Sequence, residues 1–125
     1  MNPNEISGQI VDAAIKVHTA LGPGLLESAY QGCLAYELRK RGLKVEVQLG
    51  LPVVYDDVNI EVGYRIDLLV EDRVIVELKS VDKIAPIHQA QLLTYLRLSD
   101  KRLGLLINFN VLHLKDGIKR MVNNL

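Results

Sequence analysis

Three charged residues interrupt two otherwise apolar segments in the middle of the chain. Tyr64-Arg65-Ile66-Asp67-Leu68-Leu69-Val70 is followed, after the polar link Glu71-Asp72-Arg73, by Val74-Ile75-Val76-Glu77-Leu78-Lys79. If both segments are strands, side chains alternate with period two, and Glu77 and Lys79 share a face. In a hairpin centred on Asp72, Asp67 and Glu77 are each five residues from the centre and stand across from one another. Two carboxylates and an ammonium then converge on an apolar sheet. Like charges repel and resist desolvation, and a hard divalent cation such as Mg²⁺, which prefers oxygen donors, relieves both penalties. A divalent metal is the natural occupant of such a site. A solvated strand end, with Lys79 merely neutralising Glu77, gives the same Glu-x-Lys pattern, so the surrounding elements must decide.

Those elements can be read from periodicity and punctuation. Asn2, Pro3 and Glu5 form a helix-start signature, and Ile6, Ile10, Ala13, Ala14, Val17 and Leu21 make one apolar stripe that ends at Gly22-Pro23-Gly24. A second helix is expected from Leu25 to Arg41, with Leu26, Ala29, Tyr30, Cys33, Leu34 and Leu38 on its buried stripe and Gly42 as a left-handed cap. Val45, Val47 and Leu49 then alternate with polar residues as one strand. Val53-Val54-Tyr55 reads as another, followed by a turn at Asp56-Asp57-Val58-Asn59. Tyr64–Val70 and Val74–Lys79 are a hairpin at the centre of the sheet.

After a polar loop from Ser80 to Pro86, helical spacing returns at Ile87 through Ala90, Leu92, Leu93, Leu96 and Leu98 and stops near Ser99-Asp100. Leu103–Phe109 is a continuous apolar run, which predicts an interior strand reached by a helical crossover. The tail from Val111 to Leu125 fits either two short strands or a strand and a helix. The fold class expected is α/β, one domain over residues 1–125, with a mixed central sheet flanked by helices.

Composition narrows the function. At 125 residues, 49% hydrophobic and 24% charged, the chain suits one folded domain rather than a disordered or fibrous one. Lys plus Arg number 15 and Asp plus Glu 15, so bulk charge does not draw it to nucleic acid or membrane; a polyanion site must come from local segregation. The single cysteine, Cys33, permits no internal disulfide and no cysteine-based zinc site, and its place on an apolar stripe predicts a core position. The N-terminus lacks a secretion-signal pattern and no apolar run reaches membrane-spanning length, so a soluble cytoplasmic protein without membrane contact is expected.

The charged segment resembles the PD-(D/E)xK nuclease superfamily, with a restriction-endonuclease-like core: Asp67 matches the aspartate, Glu77 the second carboxylate and Lys79 the lysine, while Ile66 replaces the proline. Gln91-Leu92-Leu93-Thr94-Tyr95 is similar to the QxxxY element of RecB-like members. Gly24-Leu25-Leu26-Glu27-Ser28-Ala29-Tyr30 resembles the pattern that names the GxxExxY family. The resemblance implies that Asp67, Glu77 and the Leu78 backbone carbonyl hold Mg²⁺ (or Mn²⁺), with Glu27 joining directly or through water. Lys79 then orients or deprotonates the attacking water, or stabilises charge on the phosphoryl oxygens. The implied partner is nucleic acid, DNA first. With no appended recognition domain, binding is expected to be weak or structure-directed, or helped by a homodimer partner.

Further candidates follow from position. Tyr30, one turn beyond Glu27, offers a hydroxyl to Glu27 or a phosphate, or else fills the core. Gln91 and Tyr95, four apart on one helical face, suit substrate phosphate or the lysine. His88 opens its helix beside the site and suits contact with the substrate backbone, whereas His18 and His113 show no metal-ligand spacing. Glu27 equally suits the dipole of a helix start. Basic residues cluster at Arg39-Lys40-Arg41-Lys44, Lys101-Arg102 and Lys115-Lys119-Arg120, each a phosphate track or a solvated helix end. Phe109 and five tyrosines are too few for extensive base stacking. Two other functions fit the same residues: a catalytically silent interaction module on the nuclease fold, and a hydrolase of smaller phosphate esters.

Overall fold

The Asn2 side chain accepts the Glu5 N–H at 2.8 Å, and the Glu5 carboxylate accepts the Asn2 N–H at 3.2 Å. With Pro3 in the first turn this reciprocal cap starts helix α1 (Pro3–Leu21). The computed structural model, which describes all 125 residues, continues with α2 (Glu27–Lys40), β1 (Val45–Tyr55), β2 (Val58–Val70), β3 (Val74–Lys79), α3 (Pro86–Ser99), β4 (Leu103–Asn108), a 3₁₀ turn at Leu114–Gly117 and β5 (Ile118–Val122). The tail is thus a 3₁₀ turn and one strand.

Three elements differ from the sequence expectation. Leu26 precedes the first turn of α2 and is 78% exposed; Ala29 and Cys33 are exposed as well, and the buried face turns instead through Tyr30, Leu34, Ala35 and Leu38. The two short strands expected around Pro52 are one strand, β1, which tolerates the proline because it lies at the sheet edge and shifts register between Leu51 and Val53. The turn expected over four residues is tighter: Asp56 and Asp57 both adopt left-handed backbone (φ 52° and 62°), so β2 begins at Val58 rather than Tyr64.

The sheet runs β1-β2-β3-β4-β5, antiparallel except where β3 and β4 lie parallel on either side of the α3 crossover. Alternation along β3 and β4 gives it two faces. Val74, Val76, Leu78, Leu103, Leu105 and Ile107 pack with α1 and α2, while Ile75 and Leu106 pack with Leu92, Tyr95 and Leu96 of α3. A Cβ at Gly104 would stand 2.9 Å from a Leu92 methyl, so the bare backbone of β4 lets α3 sit close to the sheet. On the other face Lys16 of α1 binds Glu37 of α2 at 2.8 Å and holds that carboxyl below its usual range. No helix is long and apolar enough to cross a membrane.

Candidate active site

Strands β2 and β3 part where the charged residues lie. They pair only from Leu68↔Val76 to Val70↔Val74; beyond this β2 stays with β1, and β3 runs to Lys79 alongside β4. One further step of the same register sets Asp67 opposite Glu77, at the crotch of the fork. There the Asp67 Oδ2 accepts the Leu78 N–H at 2.8 Å.

Alternation slips at this point. Ile66 and Leu69 both pack under α3, whereas Leu68 and Val70 pack under α1 and α2. Across the ladder, Val45 belongs to the α1/α2 side and Leu49 and Leu51 to the α3 side. Between them Gln48, which register sets opposite Asp67, adopts left-handed backbone at φ 53°. Its amide donates to Asp67 Oδ1 at 3.1 Å and to Gln31 Oε1 of α2 at 2.6 Å. Neither glutamine stands out in the sequence. Only the hairpin register, carried across from Asp67, points to Gln48.

Glu77 is 6% exposed, and its Oε1 is buried without any hydrogen-bond partner. Burial, followed by the neighbouring Asp67, pushes its carboxyl up to about 9, against the opposite pull of Lys79. Lys79 itself is half-buried and makes no ion pair. Its strand end is fixed by backbone: the Phe109 N–H donates to the Lys79 carbonyl at 3.0 Å. Asn108, buried at 2% exposure, stitches the next loop to β4, donating to the Val81 carbonyl at 2.9 Å and accepting the Val81 and Asn110 N–H groups. Sequence reasoning passed over Asn108, which reads there as one more residue of an apolar run.

Glu27 lies exposed in the first turn of α2 and lines a cavity with Leu25, Ser80 and Asn110, next to the end of β3. It shares a helical face with Gln31, which reaches the Asp67 group through Gln48. Tyr30 is placed elsewhere. Fully buried and stacked on Phe109 with ring centroids 4.4 Å apart, it donates to the Gly22 carbonyl at 2.6 Å and accepts the Leu25 N–H at 3.1 Å. Its hydroxyl therefore holds the turn before Glu27 and meets neither Glu27 nor solvent.

On the other face, Tyr95 is 7% exposed and packs in the cluster that contains Ile66 and Ile75. Burial raises its phenol first, and the charges of Glu77, Tyr64 and Asp67 raise it further. Gln91, one turn earlier, is exposed. His88 Nδ1 accepts the Ala85 N–H at 3.1 Å, so one ring nitrogen closes the start of α3. The basic clusters divide as well. Arg41 is tied to Asp12 at 2.7 Å, Arg39 to the Val45 carbonyl, Lys44 to Glu46, Lys101 to Asp72, Arg102 to the Asn124 carbonyl and Arg120 to Asn4. Lys115 and Lys119 carry no ion pair.

No three His, Cys, Asp or Glu side chains gather closely enough to form a metal cluster, so Glu27 stands apart from Asp67 and Glu77. Two carboxylates remain, one with a desolvated orphan oxygen. That donor set fits a cation such as Mg²⁺, which takes one or two carboxylates and keeps several waters. No curated protein and no solved structure matches the chain. A family model does, over residues 4–121, nearly the whole length, and the mixed five-stranded sheet flanked by helices agrees with it. The chain belongs to the PD-(D/E)XK nuclease superfamily.

Proposed function

We propose that the chain is a Mg²⁺-dependent (or Mn²⁺-dependent) nuclease that hydrolyses phosphodiester bonds in DNA at the fork between β2 and β3. The observation that carries this reading is Glu77, a carboxylate buried beside Asp67 with an oxygen that nothing in the protein satisfies. Burying such a group with an oxygen unpaired costs stability, and a bound cation offsets that cost. Asp67, Glu77 and the Leu78 carbonyl are the residues that would hold it, and Glu27 would join through water. When bound, the ion neutralises phosphate and lowers the pKa of its water.

The chain's own residues do the rest. Leu78 and Gln48 fix the two oxygens of Asp67, which sets the direction of the carboxylate before any ligand arrives. Lys79, with no internal carboxylate neutralising it, supplies a fixed ammonium to the attacking water or the phosphoryl oxygens. Attack by water forms one new P–O bond as the ester P–O bond breaks; the water gives up a proton to solvent, and the leaving alkoxide takes one up from it. Gln91 and Tyr95, which line a cavity along α3, and the outer nitrogen of His88, in the first turn of that helix, would meet the substrate there. The GxxExxY stretch, Gly24–Tyr30, divides its work: Glu27 would reach the ion only through water, and Tyr30 secures the turn.

Incubation of single-stranded, duplex and branched DNA and RNA with Mg²⁺ or Mn²⁺ tests the proposal. Cleavage by the wild type, lost in folded Asp67→Asn and Lys79→Ala variants, is the expected result. A folded wild type that cleaves nothing and binds no divalent ion by calorimetry would overturn it in favour of an interaction module. Turnover of small phosphate esters alone would favour the smaller hydrolase.

A further inference from the structure

The β1–β2 hairpin continues past the fork as an arm, and a cavity of about 420 Å³ lies between this arm and α3. Val53 and Tyr64 line it from the arm; Ile87, Gln91, Thr94 and Tyr95 line it from the helix. We propose that this cavity receives an unpaired nucleobase of the polynucleotide, so that the enzyme prefers strands with an unstacked base beside the scissile phosphate. The inference rests on the nuclease reading of the neighbouring carboxylates and names the substrate class that this reading leaves open.

Three observations favour a base over another occupant. The walls are apolar and aromatic: the Tyr64 ring packs on the buried Tyr95 ring, 6.1 Å away and tilted by 52°, and keeps its own outer surface open to a planar guest. The polar groups are few and versatile: the exposed Gln91 amide both donates and accepts, and Thr94 adds a hydroxyl, as the edge of a base requires. The cavity also lies close to the site, although the carboxylates do not line it. Tyr95 packs with Ile66 and Ile75, and Ile66 directly precedes Asp67 in the chain, so a guest in the cavity and a phosphate at the fork can belong to one nucleotide stretch. Tyr64 and Ile87 are 44% and 70% exposed, an apolar display that the folded chain leaves open. One slot holds one base, which is consistent with the low aromatic content of the chain.

The test compares binding of a labelled single strand, the same strand with one abasic nucleotide, and a fully paired duplex, with Ca²⁺ in place of Mg²⁺. Tyr64→Ala is expected to weaken single-strand binding roughly 5- to 150-fold, the equivalent of the 1–3 kcal/mol that base–aromatic stacking contributes. Tyr64→Phe keeps the ring and should bind as wild type. The abasic strand and the duplex should bind Tyr64→Ala and wild type alike. Equal losses on all three nucleic acids, or no loss on any, would overturn the inference; so would a loss of self-association in Tyr64→Ala, measured by sedimentation, with binding unchanged. If cleavage still requires Asp67 while Tyr64→Ala binds normally, only this inference fails. If base-dependent binding appears without any cleavage, only the nuclease reading fails.

Discussion

The Leu78 N–H donates to Oδ2 of Asp67 over 2.8 Å, so an aspartate side chain stands where continued pairing with β2 would have supplied a backbone carbonyl. The contact closes the end of the ladder and fixes one carboxylate oxygen with a single hydrogen bond. Asp67→Asn retains an acceptor for Leu78, whereas Asp67→Ala leaves a part-buried N–H unpaired. Urea titration should show Asp67→Ala less stable by about 1–3 kcal/mol and Asp67→Asn close to wild type. Both should abolish cleavage. The asparagine variant is therefore the catalytic control, since its loss of activity is not a loss of fold.

Glu77 gives the metal-free protein a pH dependence of definite sign. The folded carboxyl keeps its proton up to about 9, and an unfolded glutamate releases it near 4.5. The folded state thus holds the extra proton between these values, and stability falls as pH rises through that window. Denaturation midpoints in EDTA should decline as pH is raised from the acid to the alkaline end of this window, and Mg²⁺ should flatten the decline by stabilising the ionised form. Glu77→Gln should remove the slope, raise stability in mild alkali without metal and eliminate cleavage. A flat wild-type profile in EDTA would show that Glu77 is ionised with a partner of its own.

Tyr30→Phe keeps the stacking on Phe109 but deletes both hydrogen bonds to the Gly22–Leu25 turn. A loss of about 1–2 kcal/mol is expected, with two backbone groups left unpaired. Because Glu27 follows that turn, activity should fall modestly while substrate affinity stays near wild type. A large rise in KM instead would make Tyr30 a substrate ligand.

The salt dependence of DNA binding should separate the basic residues. Lys115 and Lys119 carry no ion pair, while Arg41 is bound to Asp12 and Gln9. Replacing either lysine by glutamine should lower the slope of log affinity against log salt by about 0.7–0.9 for every phosphate that the side chain neutralises in the wild type. Arg41→Gln should leave the slope unchanged and loosen the packing of α1 on α2. Unchanged slopes in both lysine variants would remove them from the DNA path.

Much of this architecture is legible in the residues. The Asn2-Pro3-Glu5 cap, the Gly42 stop and the register of the Glu71-Asp72-Arg73 hairpin follow from local rules, and with them the meeting of Asp67 and Glu77. What escapes is set by tertiary pairing. Pro52 interrupts a sequence pattern without breaking an edge strand, and Cys33 sits on the edge of an apolar stripe whose members Tyr30, Leu34 and Leu38 take the buried positions. Tyr30 fits a functional motif equally well as a core residue, and only the position of the Gly22 carbonyl decides. Gln48 and Gln31 gain meaning solely because β1, β2 and α2 bring them to one carboxylate.

The stack of Tyr30 on Phe109 joins more than two rings. Phe109 carries the N–H that holds the Lys79 carbonyl, and Tyr30 carries the hydroxyl that holds the turn ahead of Glu27. Residues from the two ends of the candidate site thus meet in one buried aromatic pair. Local opening of either segment must break this pair, so their amides should exchange with solvent as one cooperative unit rather than fray separately. The side chains at the fork are thereby carried on backbone that shares the slow fluctuations of the core.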